Sequence, residues 1–62
     1  MKEITMQLIT VDDVAKMLSV HRRTVTRLIS SKELKAAKIG GQWRIEVEWV
    51  KEYVERQADK RR

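Results

Sequence analysis

Apolar residues between Val11 and Ile29 recur at helical spacing, in two sets separated by a break. Val11, Val14, Ala15 and Leu18 follow one another at steps of three, one and three, which puts them on one stripe of a helix. Val25, Leu28 and Ile29 form a second stripe. Ser19-Val20-His21 lies between them and reads as a three-residue turn. The spacing predicts one short helix over residues 11–18 and another ending at Ser30 or Ser31. They should cross closely at Ala15, which has little bulk. Such narrow stripes can bury only against each other and against a third element.

Local signals fix the ends of these helices. Thr10 is a good N-cap, and Asp13 three residues later supplies the acidic half of a capping box. Asp12 and Asp13 both favour the positive end of the helix dipole. His21 stands at the cap of the second helix, where Ser, Asn or Asp would serve better. Three roles stay open for it: a ring nitrogen accepting the capping bond, an imidazole facing a phosphate, or an incidental position. Lys32 falls near the negative end of the second helix, where a cation is favoured. Upstream, Ile4, Met6 and Leu8 alternate with polar neighbours, which predicts a short strand or an extended arm.

Gly40-Gly41 separates two short apolar-containing runs and signals a hairpin. Two registers compete. A two-residue loop pairs Ile39 with Gln42 and Lys38 with Trp43, and mixes polar and apolar groups on each face. A three-residue loop, Gly40-Gly41-Gln42, sets Ile39 against Trp43 and Ala37 against Ile45. That gathers Ala37, Ile39, Trp43 and Ile45 on one face and leaves Lys38 beside Arg44 on the other. The second register gives a coherent core face and is the expected one. Its adjacent cations repel each other until a phosphate enters between them. In the last segment Val47, Val50, Tyr53, Val54 and Gln57 lie at helical spacing. Val50 and Val54 are expected to close the core, with Trp49 or Tyr53 partly covering it. The alternative use of Trp49 and Tyr53, four residues apart, is a partner-binding patch.

These elements predict an α+β fold: a small winged helix-turn-helix domain of three helices, with a β-hairpin wing between helix two and helix three. Residues 1–9 form the arm or short strand, 10–57 the domain, and 58–62 a basic, frayed tail. Sixty-two residues allow one small core of modest stability. The absence of cysteine leaves no disulfide or thiolate metal site to supplement it. No apolar run approaches membrane-spanning length, and MKEITMQLI is too short and polar for a signal peptide. A soluble, cytoplasmic protein without membrane contact is expected.

Charge changes the picture only when divided along the chain. The formal net charge is +5. Residues 16–44 carry eight cations and one carboxylate, net +7, while residues 1–15 and 45–57 are each net −2. Positive charge thus collects on the second helix and the segment after it, which points to a polyanionic partner. The outer face of the second helix carries Arg23, Thr26, Arg27 and Ser30. Two guanidiniums and two hydroxyls on an exposed helix suit a DNA major groove. Catalysis is not expected: there is one histidine, no cysteine, no metal-ligand cluster and no phosphate loop. Glu48, Glu52 and Glu55 read as a solvated helix face rather than a metal site. No cofactor is implied.

The run LITVDDVAKMLSVHRRTVTRLISSKELKAAKIGGQWRI resembles the leading pattern of the excisionase-type, MerR-like winged-helix family. The likeness lies in the order of its pieces. A short apolar-Thr start and a V-A pair in the first helix precede R-R-T-V opening the second, and the hairpin reads I-G-G-x-W-R-I. It extends from Leu8 to about Val54. The resemblance implies helix two in the major groove and the hairpin against the adjacent minor groove or backbone. It implies reading positions Arg23, Thr26 and Arg27 and wing residues Lys38, Gly40, Gly41 and Arg44; Arg22 and Thr24 complete the expected DNA-binding set. Arg23 and Arg27 would donate to base edges or phosphates. Thr24 and Thr26 would bond phosphate oxygens, or Thr26 would touch a thymine methyl. Lys38 and Arg44 would hold the wing on the duplex.

Two departures stand out. Ser19 replaces the usual turn glycine, so a left-handed backbone there costs more. His21 replaces a small hydroxyl cap. The long dimerisation helix and effector domain of larger MerR-type regulators do not fit in the residues after Gln57.

The expected partner is double-stranded DNA, bound either by an excisionase that assists an integrase or recombinase, or by a small transcription regulator acting on RNA polymerase. Side-by-side self-association on DNA goes with either. The alternative is a protein-interaction adaptor using the basic face or the Trp49/Tyr53 patch.

Overall fold

The computed structural model describes residues 7–60. The expected strand positions Ile4 and Met6 lie outside that range. The element order is β1 (Leu8–Ile9), α1 (Val11–Leu18), α2 (Arg22–Ser30), β2 (Ala37–Ile39), β3 (Gln42–Glu46) and α3 (Val47–Lys60). The fold is α+β: three helices and a three-stranded antiparallel sheet in the order β1-β3-β2, with the β2-β3 hairpin as the wing.

Both helix ends of α1 follow from the local chemistry. The Thr10 hydroxyl accepts from the Asp13 N–H at 3.1 Å, and the Asp13 carboxylate accepts from the Thr10 N–H at 3.1 Å. The reciprocal box satisfies two donors that the helix itself cannot. At the other end Ser19 turns into the left-handed region at φ 58°. Its N–H reaches Lys16 O at 3.2 Å and the Val20 N–H reaches Ala15 O at 3.0 Å. The second helix ends the same way. Lys32 takes φ 69°, and the N–H groups of Lys32 and Glu33 return to Ile29 O and Leu28 O. These paired bonds are the Schellman arrangement, made here without glycine. A side chain in this region costs about 1–2 kcal/mol, so each closure holds only because the chain must reverse there.

The core is one cluster: Val11, Val14 and Ala15 from α1, Val25, Leu28 and Ile29 from α2, then Leu34, Ile45 and Val50. Both helical stripes therefore bury as their spacing requires. Leu34, Ile45, Val14 and Val25 are fully enclosed. Leu34 comes from the connector after α2 and joins the same core.

Three expectations are corrected. The hairpin takes the two-residue loop, with Ala37 opposite Arg44, Lys38 opposite Trp43 and Ile39 opposite Gln42. Gly40 and Gly41 have φ +60° and +82°, the left-handed pair a type I′ turn demands. That turn matches the right-handed twist of the strands, and two consecutive glycines adopt it without strain. Strand alternation then puts Lys38, Trp43 and Ile45 on the inner face and Ala37, Ile39, Gln42 and Arg44 on the outer one. Ile39 is consequently 50% exposed rather than buried, and Trp43 is half-buried at the core edge.

In α3, Val50 is buried but Val54 is exposed. The inward stripe passes through Trp49, Val50, Tyr53 and Gln57, one position away from Val54. The helix also continues through Lys60 rather than fraying after Gln57.

Candidate nucleic-acid interface

Residues on α2 are separated by about 100° around the axis. Val25, Leu28 and Ile29 occupy one arc and are buried. Arg23, Thr26, Arg27 and Ser30 occupy another whose centre lies roughly 160° away. Burying the first arc therefore forces the second into solvent. Arg23, Arg27 and Ser30 are exposed, and Thr26 is half-buried. No side chain from another element covers this face with a carboxylate: the ion pairs among the described residues are Arg22–Asp12 and Lys51–Glu48.

Arg22 and Thr24 flank that arc. The Arg22 Nε lies 3.2 Å from Asp12 Oδ1, joining the start of α2 to the first turn of α1. Both side chains are largely exposed, so the pair contributes little stability but holds the guanidinium near the turn. Its partner Asp12 was invisible in the sequence, where it counted only as a favourable charge at the helix start. The Thr26 hydroxyl donates to Arg23 O at 2.9 Å. Its donor is thereby committed, leaving the oxygen lone pairs and the methyl group for other contacts. His21 has extended backbone and makes no capping bond with its side chain. The first N–H groups of α2 thus lack the side-chain acceptor that Thr10 gives α1.

The wing distributes its charges differently from expectation. Lys38 and Arg44 are not side by side. The Lys38 Nζ lies 4.8 Å from the centroid of the Trp43 ring, on the inner face. Arg44 is on the outer face, half-buried, with Nη1 3.5 Å from Trp43 O. The like-charge pair that a phosphate would relieve does not form, because the two-residue turn moves Lys38 to the opposite side of the ribbon. The same change exposes Ile39 and Gln42, which sequence reasoning left out of the candidate surface. Gly40 and Gly41 stand clear: a Cβ at either would meet nothing within 4 Å. Their requirement is conformational, and the tip they form is bare backbone.

Trp49 and Tyr53 are half-buried against the core. The Lys35 Nζ lies 5.7 Å from the Trp49 centroid, and the Arg56 guanidinium donates to Glu33 O. These contacts fasten α3 to the connector. Beside them a groove of about 560 Å³ runs between the connector, Trp43 and α3.

One comparison with known proteins bears on this arrangement. Residues 8–58 match the helix-turn-helix domain family. The chain belongs to that family. The match takes in every element from β1 to most of α3, so the helix-turn-helix assignment covers the hairpin and closing helix as well as α1 and α2. DNA is the partner this domain serves, and α2 is its second, exposed helix. No match was found among curated proteins or among solved structures. No helix among the described residues is long and apolar enough to cross a membrane.

Proposed function

We propose that this protein is a minimal winged helix-turn-helix module that binds duplex DNA sequence-specifically and performs no chemistry of its own. The observation that carries the reading is the outer face of α2, where Arg23 and Arg27 flank Thr26 without a carboxylate partner among the described residues. Helix α2 enters the major groove, with Arg23 and Arg27 donating to base edges or adjacent phosphates. Thr26, its donor already used, presents a methyl to thymine or accepts from a base amino group. Arg22 and Thr24 hold the backbone phosphates at the start of the helix. Arg44 carries the wing's charge, and the bare Gly40-Gly41 tip lets the ribbon approach closely. Lys38 belongs chiefly to the packing of the hairpin.

The resemblance of the hairpin and helices to excisionase-type, MerR-like proteins supports two settings. One is a recombination directionality factor that bends DNA beside an integrase. The other is a small transcription regulator acting at a promoter. In either, copies would bind side by side on repeated sites in the cytoplasm.

The test is a salt titration of binding to a duplex selected by the protein from a random pool. About five phosphate contacts give a log–log slope of roughly −4 to −5. A slope near zero would remove the DNA reading.

A further inference from the structure

The ion pair between α1 and α2 forms in preference to a local one. Asp12 lies four residues before Lys16 on α1, the spacing at which a helix offers a carboxylate its own cation. Yet the Asp12 Oδ1 lies 3.2 Å from the Arg22 Nε, across the turn, and the ion pairs among the described residues are this one and Lys51–Glu48. The cap of α1 does not use Asp12, since the box is made by Thr10 and Asp13. Arg22 is the first residue of α2, beside N–H groups that His21 leaves without a side-chain acceptor. A carboxylate is a costly neighbour for a helix end that meets phosphate, because it repels the ligand. The pair it makes is too exposed, at 63% and 70%, to hold the fold together.

We propose that Asp12 is a specificity-determining residue, positioning Arg22 for one phosphate of a correctly seated site while opposing DNA held in any other way. This rests on the DNA-binding reading above. A guanidinium carries its N–H donors in a rigid fork. With Nε beside Asp12, the Nη groups remain for a phosphate, and a side chain already held in place loses less freedom on meeting one. Asp12 thus helps binding only where the duplex brings a phosphate to the position the fork already serves. Elsewhere its charge works against binding. Screening at physiological salt acts over about 8 Å, more than twice the separation within the pair, so a loosely held duplex senses Asp12 and Arg22 together as neutral. Random DNA is bound through summed cationic charge, and the carboxylate cancels one cation of that sum.

The test titrates the duplex selected by the full chain and a scrambled duplex of the same length, at one fixed salt concentration. Asp12→Asn should bind the selected duplex about threefold more weakly and the scrambled duplex about threefold more tightly, the scale of a single exposed charge. The specificity ratio then falls about tenfold. In an Arg22→Gln background the same change should tighten both duplexes, since no guanidinium is left to position. Weakening of both duplexes, with or without Arg22, is what a loosened α1 would give and overturns the inference. So does unchanged or tighter binding of the selected duplex by Asp12→Asn, or a scrambled duplex bound no more tightly, or an effect that is the same in the Arg22→Gln background. A flat salt slope in the unaltered protein removes the DNA reading itself, and this inference with it.

Discussion

Lys38 and Trp43 face each other directly across the hairpin, with the lysine Nζ 4.8 Å from the ring centroid. The contact holds the exposed Lys38 ammonium beside the ring in the free protein, and our proposal is that it stays there when DNA binds. Replacing it with Gln should lower stability by about 0.5–1 kcal/mol and shift Trp43 fluorescence. The salt slope of DNA binding should stay within about half a unit of the original. Arg44→Gln should instead reduce that slope by about one. If Lys38→Gln changes the slope as much as Arg44→Gln does, Lys38 leaves the ring for a phosphate when DNA binds.

The two outward arginines of α2 should separate base reading from charge. Arg23→Ala or Arg27→Ala should lose about 1–3 kcal/mol on a selected site and distinctly less on random duplex. Equal losses on both duplexes would make that arginine a phosphate contact.

The core hierarchy differs from the size of the residues. Ile45 and Leu34 are fully enclosed, while Trp43 is half-buried at the edge. Ile45→Ala and Leu34→Ala should each destabilise by about 2–5 kcal/mol, enough to unfold much of a domain this small. Trp43→Ala should cost about 2 kcal/mol, since part of the ring stays in water. Denaturant midpoints would check the order. A Trp43 variant less stable than the Ile45 variant contradicts the register described here.

Two left-handed residues offer gains. Ser19 and Lys32 occupy φ 58° and 69°. Glycine removes the steric cost at each but adds freedom to the unfolded chain. Ser19→Gly and Lys32→Gly should each stabilise by about 0.5–1 kcal/mol, raising Tm by several degrees. A fall in Tm for either would mean that its side chain makes a compensating contact.

Acid should weaken the start of α1. Asp13 is held below its ordinary value of 3.8, first by the Thr10 backbone N–H and then by the Thr10 hydroxyl. Its folded pKa is the lower one, so the stabilisation is fully present at neutral pH. It fades as pH falls below 3.8 and through the folded value. Asp13→Asn should therefore be less stable than the original at pH 6, and the gap should narrow toward pH 2. A gap of constant size across that range would separate the effect from ionisation.

The sequence by itself determined what depends on near neighbours. Thr10 and Asp13 make the capping box because they lie three residues apart. Val11, Val14, Ala15, Val25, Leu28 and Ile29 bury because helical spacing leaves no other arrangement, and that same spacing pushes Arg23 and Arg27 into solvent. That exposed arginine face was thus legible before any tertiary contact was known. The wing was not. Both registers were open, and the coherent apolar face favoured the wrong one. The tertiary structure decided it through the left-handed turn at Gly40-Gly41 and the pairing of β1 with β3, which places Ile9 opposite Ile45. With the interior already occupied by Leu34, Ile45 and Val50, Ile39 gained nothing by turning inward. Val54 lost its expected place for a similar reason: Val50 and Tyr53 had filled the side of α3 that meets the core. A strand's inward face is fixed by partners distant in sequence, and a helix stripe largely by its own spacing.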